Sequence, residues 1–255
     1  MIYINKESTP PSVLEENAEK WTEELMKNID EYGGYEKVPQ EVKNSMWVHY
    51  RDKDIKKVLF ASSNEKCVFC EAKPAESGNI EVEHFMPKSL YPSKAFEWDN
   101  LLPVCRKCND SKSNHDTGKE AIVNPSKEDP EKIFTYNFLN IEPLDEKDIV
   151  AERTIEICDL NSERLYDARA RLLHSLCSYE KVVRAWLSEI DNADTERKRI
   201  GRINKLRDSV EILEKLTGAE QTYAGFCRFF LRKSVVYNQA KRMLKEMENV
   251  CANNH

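Results

Sequence analysis

Two kinds of chemistry are written into the stretch from Cys67 to Lys112. Cys67-Val68-Phe69-Cys70 and Cys105-Arg106-Lys107-Cys108 are paired cysteines at knuckle spacing. Between them lies Glu83-His84; Asn100 precedes the second pair and Asn109 follows it directly. Two thiolates at this spacing can grip one ion, and two such pairs close a tetrahedral four-cysteine zinc site with no open position. A closed site is a scaffold, and in a small polar module it supplies much of the folding free energy. The remaining groups suit hydrolysis. A neutral imidazole such as His84 can take a proton from water near neutral pH. Glu83 and Asn109 offer hard oxygens of the kind that Mg²⁺ accepts through one or two side chains plus waters. A base for water and a cation for developing charge are what phosphodiester cleavage needs.

The elements that must hold these residues can be read from periodicity. Ile80-Glu81-Val82-Glu83-His84 alternates apolar and polar residues, as a half-buried strand does. Pro87 and Pro92 punctuate the loop that follows. Leu101-Leu102-Pro103-Val104 predicts a second extended piece at an edge or irregular position, because proline cannot donate to a ladder. Cys105 to about Asn114 reads as a short polar helix. His115 lies six residues past Asn109, out of register with helical neighbours, and is set aside as a ligand.

Upstream, Pro10-Pro11-Ser12 marks a stop followed by a helix start. Leu14, Ala18, Trp21, Leu25 and Ile29 then recur at helical spacing up to Gly33-Gly34. Trp21 reads as a core anchor. A second helical stretch is expected over about 41–62, with His49 structural or exposed. Downstream, 122–150 reads as an irregular wrapping segment with one strand around 133–138. Three helices follow: a long one from Leu160-Asn161-Ser162-Glu163, one over about 195–217, and one after Gly218 carrying Tyr223 to Met247. The reading is mostly α with a small α+β module, divided into 1–62, 63–120, 121–158 and 159–255.

Composition narrows the class. The 255 residues are 40% hydrophobic and 33% charged, with only 7 glycines, which favours helix over loop-rich β architecture. The first residues lack the charged leader and apolar run of a signal peptide, and no apolar stretch is long enough to span a bilayer, so a cytoplasmic protein is expected. Eight cysteines in such a chain imply metal ligands or buried thiols. Cys158, Cys177, Cys227 and Cys251 are expected in the core. The net charge of −6 is unevenly spread: residues 1–50 carry 5 basic against 10 acidic side chains, and residues 165–255 carry 17 against 12. Phosphate contacts would draw on the central motif's own bases and the C-terminal third.

The stretch over about 64–116 resembles the HNH, or ββα-metal, endonucleases, in which a hairpin and a helix clasp one divalent ion. The resemblance implies a zinc-stapled ββα-metal core flanked by N-terminal helices and a C-terminal helical unit. It also implies roles: His84 as general base, Glu83 and Asn109 as ligands of Mg²⁺ or Mn²⁺, and Asn100 orienting the histidine's loop. Lys112 would face the phosphate, with Lys88, Arg106 and Lys107 as further nucleic-acid contacts. The residue before the histidine is commonly aspartate; here Glu83 keeps the carboxylate on a longer arm.

A longer run is similar to the PtuB-type HNH nucleases associated with retron and Septu anti-phage systems. It comprises Glu83 to Pro92, Phe96 to Leu102, Val123-Asn124-Pro125 and Glu128-Asp129-Pro130. That likeness implies an ABC/RecF-like ATPase partner; the leading reading is a metal-dependent endonuclease acting on DNA. The competing readings are a tRNA-cleaving toxin with the same site, and a non-catalytic zinc module for binding nucleic acid or a partner.

Overall fold

The computed structural model describes residues 1–6, 9–74 and 79–252, with side chains described through residue 249. The chain is mostly helical with two small two-stranded sheets. It divides into two compact units, Met1–Ser162 and Glu163–His255.

The first unit opens with an extended segment whose Ile4 amide bonds the Pro125 carbonyl at 3.0 Å. Helix α1 (Ser12–Glu31) buries Leu14, Leu25 and Ile29 on one face, as its periodicity predicts. The expected second helix is interrupted. It forms as α2 (Gln40–Trp47), a single 3₁₀ turn (His49–Arg51) and α3 (Lys53–Ser62). Asp52 causes the restart: its extended backbone leaves the helical path and its carboxylate accepts the Asp54 amide at 2.8 Å. The turn directs Tyr50 into the core, where it is 3% exposed.

Strand β1 (Ile80–His84) pairs antiparallel with β2 (Leu101–Cys105), with His84 opposite Leu101 and Ile80 opposite Cys105. In a sheet of two strands both are edges, so Pro103 removes no needed donor. Its carbonyl accepts the Val68 amide of the first knuckle at 3.1 Å. Helix α4 (Arg106–Lys112) follows β2 without a loop and stops at Ser113, which sits at φ 46°. The strand alternates as predicted: Ile80, Val82 and His84 are buried, while Glu81 and Glu83 lie on the other face. Val82 and Leu101 join one apolar cluster with Leu14, Trp47, Tyr50, Ile55, Leu59 and Phe96. The N-terminal helices are therefore the floor on which the hairpin rests. Truncating a fully buried member such as Ile55 to alanine is expected to cost about 2–5 kcal/mol.

The stretch after α4 is more regular than its prolines suggest. Beyond the expected strand, β3 (Phe134–Asn137), there is a partner, β4 (Asn140–Pro143), which together form a hairpin. Helix α5 (Ile149–Ile157) follows, capped by Asp148, whose carboxylate accepts the Val150 and Ala151 amides at 3.0 Å each. Thr154 of α5 receives the Val123 amide at 2.8 Å, fastening the connecting chain.

The second unit contains α6 (Glu163–Asp191), α7 (Glu196–Lys215), α8 (Ala224–Lys233) and α9 (Val235–Ala252). The single helix expected after Gly218 is two, because Ser234 has extended backbone and its hydroxyl caps Tyr237 N at 3.0 Å. Cys158 and Cys227 are buried, but Cys177 on the long α6 is only half-buried; the Cys251 side chain lies outside the described residues. Among the described residues, no helix is long and apolar enough to cross a membrane.

Candidate active site and metal centre

The four knuckle cysteines converge. Their Sγ atoms all lie within 4.8 Å of one another, and all four residues are buried. The Cys70 and Cys105 sulfurs are 3.7 Å apart, far beyond a disulfide bond. Tetrahedral zinc with Zn–S bonds of about 2.3 Å would place its sulfurs about 3.8 Å apart, so the donor set fits that ion. Cys105 ends β2 and Cys108 lies in the first turn of α4, while Cys67 and Cys70 follow α3. A bound zinc would join the floor helices to the strand–helix corner.

Beside this centre lies a cleft of about 680 Å³, with β1, Tyr50, Arg51, Lys56, Lys88 and Asn109 among its walls. His84 closes the strand at its edge. Its ring is 2% exposed and meets the Tyr50 ring edge-on at 4.6 Å between centroids. Its Nε2 lies 2.9 Å from the Ala95 carbonyl, which can only accept. Nε2 therefore carries the proton and Nδ1 keeps its lone pair. Burial above all, then the charges of Lys88, Lys112 and Arg51, hold the imidazole pKa down to about 3 against the pull of the Ala95 carbonyl. That keeps the ring uncharged near neutral pH.

Asn100 is buried at the end of a 3₁₀ turn leading into β2. Its Oδ1 accepts the Met86 amide at 2.7 Å, and its Nδ2 donates to the Met86 carbonyl at 3.1 Å and the Lys94 carbonyl at 2.9 Å. One side chain thus pins both ends of the 85–95 loop, including the stretch that presents Ala95 to His84. Tyr91 and Gly118 brace the loop from outside. Tyr91 donates to Asp116 at 2.6 Å, and a Cβ on Gly118 would fall 2.2 Å from the Tyr91 hydroxyl, which only glycine avoids.

The oxygen donors fall in a different pattern from the one expected. Asn109 Nδ2 donates to Glu81 Oε2 at 2.7 Å, which brings Glu81 and Asn109 together on the polar face of β1. Glu83, the expected partner of Asn109, instead takes the Lys112 ammonium at 2.8 Å. Burial raises the Glu83 carboxyl pKa, and Lys112 partly counters this. Lys112, expected to face the phosphate, is 1% exposed here and also donates to the His84 carbonyl at 3.1 Å. A lysine one helical turn past Asn109 points back under the strand and closes the module from within.

Of the other expected bases, Lys88 lines the cleft, with its ammonium 5.5 Å from both the Trp47 and Tyr50 rings. Arg106 and Lys107 lie on the exposed side of α4, outside the cleft lining, and Arg106 is 3.8 Å from Asp110. Sequence reasoning missed Glu81, Tyr50, Arg51 and Lys56. Glu81 carried a signal, because strand alternation places it on the same face as Glu83. His115 turns away to the Glu120 carbonyl at 2.8 Å, and His49 stacks flat on Trp21 at 4.5 Å, so neither joins the site.

Residues 67–115 match the family described as HNH endonuclease. The chain is 36% identical over 165 residues to the Septu protein PtuB of Bacillus thuringiensis, covering 63% of this chain and 55% of that one. It is 28% identical over 153 residues to the Septu protein PtuB of Bacillus mycoides strain KBAB4, covering 48% and 52% respectively. The chain thus spans about half the length of the curated relatives it matches. The matched segment holds the four cysteines, the Glu83–His84 pair, Asn100 and Asn109; residues 67–115 are similar to HNH endonucleases, in a chain that resembles the Septu PtuB proteins.

Proposed function

We propose that this chain is a divalent-metal-dependent endonuclease that cuts DNA, acting in the cytoplasm as the effector subunit of an anti-phage system beside an ATPase of the ABC/RecF-like type. The observation that carries the catalytic reading is His84. Its tautomer is set by the Ala95 carbonyl, its charge state is neutral, and it borders a cleft lined by carboxylates and cations. Nδ1 takes the proton from the attacking water, and Asn100 holds the loop that keeps the ring in place. Asn109 and Glu81 offer oxygens for Mg²⁺ or Mn²⁺, with Glu83 beside them. Among the described residues no donor reaches Asn109 Oδ1, which leaves it available as a hard ligand. The metal, when bound, supplies positive charge for the phosphate and the leaving oxygen. Zinc in the four-cysteine centre is structural. The defence role and the ATPase rest on the likeness to PtuB.

The test is cleavage of plasmid DNA and of tRNA by the purified chain, alone and co-expressed with an ABC/RecF-like ATPase of the proposed kind. Mg²⁺-dependent nicking of DNA that stops when Mg²⁺ is chelated at constant zinc supports the proposal. Cleavage confined to tRNA replaces the substrate, and cleavage that survives chelation refutes the metal assignment.

A further inference from the structure

We infer that Arg51 and Lys56, carried by the N-terminal helices outside the HNH domain, form with Lys88 the wall that grips the phosphates of the nucleic-acid strand entering the cleft. This rests on the nuclease reading above and extends the site to elements that lie upstream of residues 67–115.

Three observations converge. First, the cleft's charges come from separate elements. Glu81 and Glu83 belong to β1 and Asp110 to α4, whereas Arg51 belongs to the 3₁₀ turn after α2 and Lys56 to α3. Second, other cations of this unit are already engaged. Lys112 pairs with Glu83, Arg106 with Asp110, Lys94 with Glu97 and Lys119 with Asp116. Among the described residues, Arg51, Lys56 and Lys88 have no salt-bridge partner, although acidic side chains line the same cleft. Third, Arg51 is aimed by its neighbours. Its Nε donates to the Tyr50 hydroxyl at 3.2 Å, and its guanidinium lies 5.4 Å from the centre of the Tyr50 ring. That ring is the one packed edge-on against His84. The guanidinium lies against the tyrosine, whose ring in turn meets the His84 imidazole edge-on, so the cation is held at a defined place relative to His84.

An arginine fork and two ammonium groups left unpaired at a hydrolytic base match a phosphodiester backbone. The interruption of the second helix at residues 48–52 gains a purpose. A continuous helix would carry residue 51 along a different face, whereas the turn seats Tyr50 in the core and leaves Arg51 exposed.

The experiment measures binding and cutting separately on the full chain. Arg51→Gln, Lys56→Gln and the double variant are compared with wild type and with Lys27→Gln, which alters an exposed base of α1 paired to Glu31. Anisotropy of a short fluorescein-labelled DNA duplex is titrated without divalent metal across a salt series. Each lost contact should lower the slope of log K against log salt by about 0.9 and weaken binding about eightfold at 0.1 M salt. Thermal melting and zinc content should not change. Slopes equal to wild type in all three cleft variants, in a wild-type chain that binds, overturn this inference alone. A wild-type chain that neither binds nor cuts any nucleic acid, with or without the ATPase, overturns the nuclease reading and this inference with it.

Discussion

At the residue scale, His84 owes its setting to where β1 ends. Alternation puts it on the buried face with Ile80 and Val82, and burial keeps it uncharged. An imidazole in this setting should show no ring titration by NMR between about pH 5 and 8; a midpoint near 6.5 would contradict the burial argument. Because the folded-state pKa lies below that of the unfolded chain, acidification protonates the unfolded chain first. Stability should therefore fall as pH drops through about 6.5 toward about 3. Lys112 makes a second claim. Lys112→Met leaves Glu83 buried without its cation and should cost about 3–5 kcal/mol in thermal or denaturant unfolding, with Lys112→Met/Glu83→Gln recovering part of the loss. Unchanged stability together with weaker DNA binding would restore Lys112 to the phosphate. The gathering of the cysteines and the places of His84 and Asn100 were legible because local spacing and alternation set them. The Glu83–Lys112 and Glu81–Asn109 pairs were not, because the partners stand 29 and 28 residues apart and strand alternation alone does not choose between two carboxylates on one face.

At the element scale, the zinc centre and Asn100 do different kinds of positioning. With zinc bound, the cysteines would join β2 and α4 to the segment after α3. Free energies of structural zinc binding, about 10 kcal/mol or more, match or exceed the whole stability of a typical domain. Cys105→Ser should therefore release zinc and unfold the four-cysteine module, seen as lost zinc by elemental analysis and lost cooperative melting; a zinc-free variant with wild-type melting would exclude the staple. Asn100→Ala removes three hydrogen bonds from one loop and should keep the zinc while lowering stability by about 1–3 kcal/mol and slowing cleavage. The ββα elements were readable because alternation, Pro103 and the knuckle each mark a boundary. The break between α2 and α3 was not, since neither glycine nor proline marks it and only Asp52 announces the restart. Helix α5 and the β3–β4 hairpin were hidden by a run of Asn-Pro, Asp-Pro and Glu-Pro pairs. These fix local bends, yet leave room for a hairpin between the last two and a capped helix beyond them.

At the scale of the whole molecule, every residue of the zinc centre and the cleft lies in Met1–Ser162, and the N-terminal helices belong to that site as much as the HNH segment does. The helical unit Glu163–His255 carries the excess of basic side chains read from the sequence and contributes no residue to the cleft lining. A fragment of residues 1–162 should accordingly keep one zinc per chain; a fragment that cannot hold zinc would show that the helical unit is needed for the centre. The central claim, that His84 is the base of a phosphodiester hydrolase, is tested most directly by single-turnover cleavage of DNA by the wild-type chain and by His84→Ala, each in Mg²⁺ with zinc content and melting matched. Wild type should cut, and the variant should lose at least about 100-fold. Equal rates in the two proteins would contradict it.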